Sequence, residues 1–151
     1  MRIALGADHA GVGLKDQIKT LLDERGDAYT DFGTSSRDPV DYPDFAVKVA
    51  REVASGAFDR GILFCGSGIG MAIAANKVAG IRAAPVVDEN STRLSREHND
   101  VNVLALGERV TPPDQARKFV EVFLDTPFAE GRHRRRIDKV DKIVSLDTCA
   151  E

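Results

Sequence analysis

The stretch Gly61-Ile62-Leu63-Phe64-Cys65-Gly66-Ser67-Gly68-Ile69-Gly70 decides the fold. Its first half is a short apolar run without polar alternation. That is the pattern of a strand buried on both faces, and such strands belong to parallel sheets. Its second half carries glycine at 66, 68 and 70, so the backbone can turn tightly and present N–H groups at the start of a helix. An anion or a developing oxyanion is the natural guest of such a loop.

Outward from this stretch, short apolar runs alternate with helical patterns in both directions. Upstream, Ile3 to Leu5 read as a first strand ending at Gly6, and Leu14, Ile18, Leu21 and Leu22 recur at helical spacing up to Gly26. Ala28 to Phe32 form a second strand, closed by the turn-rich run GTSSRDPVDYPD (33–44). A helix with Phe45, Ala46, Val49, Ala50 and Val53 on one face leads back to the third strand. Downstream, residues 71–77 read as a helix, 81–87 as a fourth strand, 91–97 as a polar helix and 101–106 as a fifth strand. Ala116, Phe119, Val120, Phe123 and Leu124 mark a further helix. In the last segment, residues 130–146, Ile137, Val140, Ile143 and Val144 make an apolar stripe. The pattern predicts an α/β protein: a three-layer α/β/α sandwich around a five-stranded parallel, Rossmann-like sheet, with residues 1–151 forming one domain. In such sheets functional groups collect at the carboxyl ends of strands.

Composition narrows the function. A length of 151 residues suits one core, and 42% hydrophobic with 30% charged residues is the balance of a globular chain, not a disordered one. A net charge of −3 argues against nucleic acid or an anionic membrane as the main partner. No apolar run nears the roughly 20 residues that span a bilayer. The N-terminus, MRIALGADHAG, reaches Asp8 and His9 too soon for a signal peptide. Two cysteines, Cys65 and Cys149, are too few for a disulfide framework, so a cytoplasmic thiol protein is expected.

Polar chemistry gathers in three places: Gly6-Ala7-Asp8-His9-Ala10-Gly11, Cys65 to Gly70, and Arg96-Glu97-His98-Asn99-Asp100 at the entry to strand five. All three are expected where a parallel sheet exposes its functional groups. The glycine loop excludes several known anion sites. A dinucleotide fingerprint needs glycine at Met71, a phosphatase-type loop needs arginine there, and no Lys-Ser or Lys-Thr pair follows the last glycine. Cys65 is either a small buried hydrophobe or a general base whose thiolate is favoured by nearby N–H groups and the helix dipole. Ser67 is a helix cap, a hydroxyl donor to substrate, or both. Asp8 caps the first helix or accepts from sugar hydroxyls, and His9 and His98 are structural or functional. Three histidines without metal-ligand spacing predict no metal site. Arg132 and Arg136, four apart, share a helix face and form either a solvated basic surface or a phosphate clamp, with Arg134 and Arg135 pointing into solvent.

The stretches GADHAG (6–11), DYPDFA (41–46), CGSGIGMAIAANKVAGIRA (65–83), LSREHNDVNVLALGERV (94–110) and EGRHRRR (130–136) span nearly the whole chain. Together they closely resemble the type B ribose-5-phosphate isomerase family, within a wider group acting on galactose and allose 6-phosphates. The resemblance implies an aldose–ketose isomerase working through a cis-enediolate, without metal or organic cofactor. It implies Cys65 as the base, Ser67 as the neighbouring hydroxyl, and His98, with Asn99 beside it, in opening the sugar ring. Asp8 would hold sugar hydroxyls, and the N–H groups of Gly66, Gly68 and Gly70 the charge on O1. His9, Arg109, Arg132 and Arg136 match phosphate-gathering positions. A branch with a glutamate base after the last loop glycine is set aside, because that position is Met71. The resemblance further implies a homodimer or a dimer of dimers with shared active sites, the 130–146 helix packing on a partner.

Ribose 5-phosphate is the expected substrate, with a tetrose 4-phosphate or hexose 6-phosphate as the alternative and residues 86–90 as a place where sugar length is tuned. The rivals from other classes are a non-catalytic sugar-phosphate sensor, a redox-sensing thiol protein and a basic-tail nucleic-acid binder.

Overall fold

The computed structural model describes residues 1–147, with side chains to residue 143. Cys149 therefore lies outside the described residues, as does the side chain of Val144. Five parallel strands, β1 (Arg2–Ala7), β2 (Ala28–Asp31), β3 (Arg60–Cys65), β4 (Ala83–Pro85) and β5 (Val103–Gly107), lie in the order β2-β1-β3-β5-β4. The helices are α1 (Val12–Arg25), α2 (Tyr42–Ala54), α3 (Ile69–Ala75), α4 (Glu89–Asn99), α5 (Pro113–Asp125) and α6 (Arg132–Asp147). This is the α/β/α sandwich expected from the alternation.

Period-two side-chain direction divides each central strand between two cores. Ile3, Leu5, Ile62, Phe64, Leu104 and Leu106 pack with Leu14, Ile18 and Leu22 of α1 and Phe119, Val120 and Phe123 of α5. The opposite face offers smaller groups, Ala4, Leu63, Cys65, Val103 and Ala105, to Ala46, Val49 and Ala50 of α2 and Met71, Ala72 and Ala75 of α3. A Cβ on Gly61 would lie 2.9 Å from Val49, so this face is cut small to let α2 sit close. Cys65, the last residue of β3, is thereby held by packing on the α2/α3 side and is only 5% exposed.

The chain leaves β1 for β2 on one side, then crosses to β3 on the other. The carboxyl ends of β1 and β3 therefore flank the switch point where ligands enter open α/β sheets.

Three local expectations shift. The helix after the glycine loop starts two residues early, at Ile69, because Gly68 takes the left-handed conformation (φ 81°) and turns the chain at once. The fourth strand shrinks to Ala83–Pro85, because the backbone of Ile81 and Arg82 is held instead by Val78 and by the Asn102 side chain. The polar helix runs from Glu89 to Asn99, opened by Asp88, whose carboxylate accepts the Ser91 N–H at 2.7 Å.

The third shift corrects the placement of residues 96–100. They do not join the loops at the carboxyl edge. α4 runs antiparallel to the strands, so its last turn, with His98 and Asn99, sits at the amino edge before β5. The five residues of β5 lie between them and the level of Cys65, about 17 Å at roughly 3.3 Å per residue.

Candidate active site

At the switch point, Asp8, His9, Ala10, Tyr42, Cys65, Gly66, Ser67, Gly70, Arg109 and Val110 line an open cleft of about 350 Å³. Each member is placed by a local backbone device. Asp8 follows β1, its N–H bonded to the Phe64 carbonyl at 3.2 Å, and its Oδ1 accepts the Ala10 N–H at 2.9 Å. Gly11, which opens α1, lies so close to β3 that a Cβ there would fall 2.4 Å from the Phe64 carbonyl carbon. The Asp8-His9 turn is thus pressed directly against the strand that ends in Cys65.

The Cys65 Sγ accepts the buried N–H of Gly68 at 3.1 Å. That bond fixes the position of the sulfur beneath the glycine loop. Ser67 Oγ accepts the Ile69 N–H at 3.3 Å, a bond within the loop rather than a helix cap, since Gly68 holds the cap position, and the hydroxyl's own proton stays available to a ligand. The N–H groups of Gly66 and Ser67 find no acceptor among the described residues. The turn after β5 closes the site from behind. Glu108 and Arg109 donate their N–H groups to the carbonyls of Cys65 and Gly66 at 2.8 and 3.0 Å, which brings the Arg109 guanidinium across Gly66. Gly68 itself lies beneath the loop and does not face the cleft.

His98, Asn99, Arg132 and Arg136 form a second group at the amino edge. The rings of His98 and His133 stack with centroids 4.3 Å apart, 9° from parallel. Burial, then the neighbouring His98, Arg132 and Arg136, holds the His133 imidazole below the usual histidine range, with Glu97 opposing. Arg132 and Arg136 are exposed. Arg134 is exposed, as expected, and on that surface it pairs with Glu130 at 2.8 Å and lies over the Phe128 ring. The turn beneath this group is rigid: Arg96, 2% exposed, bonds the Asp100 carboxylate at 2.8 Å and the Val101 carbonyl at 2.6 Å.

Sequence reading missed Tyr42 and His133. Tyr42 lies over the glycine loop, where a Cβ on Gly70 would fall 2.8 Å from its ring, and the available signals were the bare glycine at 70 and the DYPDFA stretch (41–46) that holds the tyrosine. His133 lay hidden in an arginine run. Among the described residues no three His, Cys, Asp or Glu side chains gather as a metal site, and no helix is long and apolar enough to cross a membrane.

A parallel α/β sheet whose switch-point cleft combines a thiol, a hydroxyl, a carboxylate and an arginine defines an enzyme for a small polar, anionic substrate. Comparison with known proteins narrows the class. The model of the ribose/galactose isomerase family matches residues 3–140. Ribose-5-phosphate isomerase B of Escherichia coli K12 is 46% identical over 142 residues, 94% of this chain and 95% of that protein. D-erythrulose-4-phosphate isomerase of Pectobacterium atrosepticum is 40% identical over 142 residues, 93% of each. The solved ribose-5-phosphate isomerase B of Clostridium thermocellum superposes with a TM-score of 0.95 at 50% identity, covering 97% of this chain and 99% of that one. The chain belongs to the ribose/galactose isomerase family.

Proposed function

We propose that this enzyme interconverts ribose 5-phosphate and ribulose 5-phosphate, with Cys65 as the general base. The observation that carries the reading is the Gly68 N–H on Cys65 Sγ at 3.1 Å, in a cleft shared with Asp8 and Ser67. The thiolate takes the proton from C2 of the open-chain aldose, forming S–H while the C2 electron pair moves toward C1 and charge builds on O1. Ser67 and the N–H groups of Gly66, Ser67 and Gly70 meet that charge, a contribution of about 10²-fold in comparable sites. The thiol then protonates C1, and the O2 proton passes to O1 as C2 becomes the carbonyl. Asp8 orients the sugar hydroxyls, and His9 and Arg109 hold the phosphate. Neither metal nor organic cofactor takes part.

The site is shared between two copies of the chain. His98 of the partner subunit opens the furanose ring with Asn99 of the partner subunit beside it, and the partner's Arg132 and Arg136 complete the phosphate clamp. Two observations support this. The groups lie at opposite edges of the sheet in one chain, and Ile69 and Ile73 on α3 and Val140 and Ile143 on α6 are each more than half exposed, supplying apolar faces beside both. The α6 helix packs on the partner in this arrangement, as one single-domain subunit on another, in a dimer or a dimer of dimers within the cytoplasm.

Conversion of ribose 5-phosphate in D₂O tests the chemistry. Wild type should place solvent deuterium at C1 of the ketose, and Cys65→Ala should lose turnover by at least about 10²-fold. Undiminished turnover by that variant means another group is the base. The tetrose reading rests on the erythrulose-4-phosphate relative, and it replaces the pentose if kcat/KM is higher on the four-carbon substrate.

A further inference from the structure

Residues 32–41, between β2 and α2, form a strap with no regular structure that crosses the carboxyl end of β1 and ends on the cleft. It is tied down along its length. A Cβ on Gly33 would fall 2.4 Å from the Ala7 nitrogen, so the strap begins flush against β1. The Thr34 N–H donates to the Ala7 carbonyl at 3.1 Å. The Thr34 carbonyl accepts from Lys15 Nζ at 2.6 Å, a lysine 1% exposed and ion-paired with Asp31 at 2.8 Å. Midway, Arg37 reaches Glu108, whose other oxygen accepts the Leu14 N–H of α1 at 2.9 Å. At its far end the Val40 N–H donates to His9 Nδ1 at 3.2 Å.

That last bond has a chemical consequence. A backbone N–H only donates, so Nδ1 of His9 must present its lone pair. A neutral imidazole carries one N–H, which then sits on Nε2. No hydrogen bond within the described residues engages Nε2, and His9 lines the cleft. We propose that the Val40 N–H, held by the anchored strap, is a positioning group that fixes His9 as the Nε2–H tautomer, so that His9 gives the bound sugar phosphate a neutral N–H donor. Without the strap the two tautomers compete, and the one protonated at Nδ1 turns an acceptor toward an oxygen-rich ligand. The side chains of Lys15 and Glu108, neither of which lines the cleft, act through this one contact. The inference deepens the proposed function and rests on it for the identity of the ligand.

The test reads the tautomer directly. With three histidines in the chain, long-range ¹⁵N–¹H correlation spectra of the unliganded protein resolve His9, assigned by its loss in His9→Gln. Wild type should show an unprotonated Nδ1 and a protonated Nε2. Val40→Pro removes the N–H donor, and His9 should then become a mixture of tautomers while KM for ribose 5-phosphate rises about five- to tenfold, the worth of one hydrogen bond. kcat should stay within about twofold, since proton transfer is left to Cys65.

If Val40→Pro does not fold, His9→Gln and His9→Asn decide in its place. Glutamine sets its amide N–H near the Nε2 position and should retain more affinity than asparagine, which sets it near Nδ1. A wild-type His9 protonated on Nδ1 overturns the proposal, as do an unchanged tautomer in Val40→Pro or equal losses in the two substitutions. Failure of the functional reading looks different: the tautomer stays on Nε2 while no sugar phosphate is turned over.

Discussion

Gly68→Ala probes the backbone beneath Cys65, and Gly26→Ala provides its control. Both glycines are left-handed, φ 81° and 71°, so alanine at either site meets the same backbone penalty of about 1–2 kcal/mol. Their surroundings differ. A Cβ on Gly26 meets nothing within 4 Å, whereas one on Gly68 falls 3.2 Å from the backbone of Ala105 and Leu106 in β5, which has no flexible end to move aside. Overpacking of that kind adds about 1–3 kcal/mol. A protein of this length loses about 2–4 °C of Tm per kcal/mol, so Gly26→Ala should lower Tm by about 2–8 °C and Gly68→Ala by about 4–20 °C. Function should separate the two further. The Gly68 N–H holds Cys65 Sγ, and relieving the contact moves that N–H by a few tenths of an ångström. Steady-state turnover of ribose 5-phosphate, measured well below either Tm, should show kcat reduced at least about tenfold in Gly68→Ala with KM nearly unchanged, because His9 and Arg109 stand on other loops. Gly26→Ala should keep wild-type kcat. Equal Tm losses and equal kcat in the two variants would refute the claim that this loop's geometry positions the thiol.

The His133 site predicts a pH dependence of stability. Its imidazole titrates lower folded than unfolded, so between those two values the unfolded chain binds more protons and stability falls as the medium is acidified below the ordinary histidine range. His133→Asn should flatten that slope in urea titrations between pH 7 and 5, and an unchanged slope assigns the effect to other groups. Asp100→Ala removes the carboxylate partner of nearly inaccessible Arg96 and places alanine at φ 44°, and should cost about 3 kcal/mol by denaturant melts. Asp100→Asn keeps an acceptor and tolerates that conformation, so it should cost clearly less, and equal losses would mean that the charge alone carries the contribution while the acceptor and the backbone conformation add little.

Much was legible because it rests on local periodicity. The run from Gly61 to Phe64 is apolar at every position, so a doubly covered parallel strand was the one consistent reading, and Cys65 at its end was marked as the residue a parallel sheet exposes. Asp8 and Ser67 followed by the same argument, since position along a strand or loop is a property of the local chain. The edge at which His98 and Asn99 stand was legible in principle and was misplaced: a segment that directly precedes a parallel strand lies at the sheet's amino edge wherever its helix begins. The His98–His133 stack joins positions 35 apart in sequence through helix packing alone, and Tyr42 reaches Gly70 only because Gly61 leaves room for α2 to approach. Sequence by itself determined the elements, their alternation and the chemistry of the glycine loop, because hydrophobic periodicity and backbone freedom act over a few residues. Only the tertiary structure decided which chemical groups share a cleft. Side chains far apart in sequence meet through strand order, helix direction and the volume of the residues between them, and none of these is a local property.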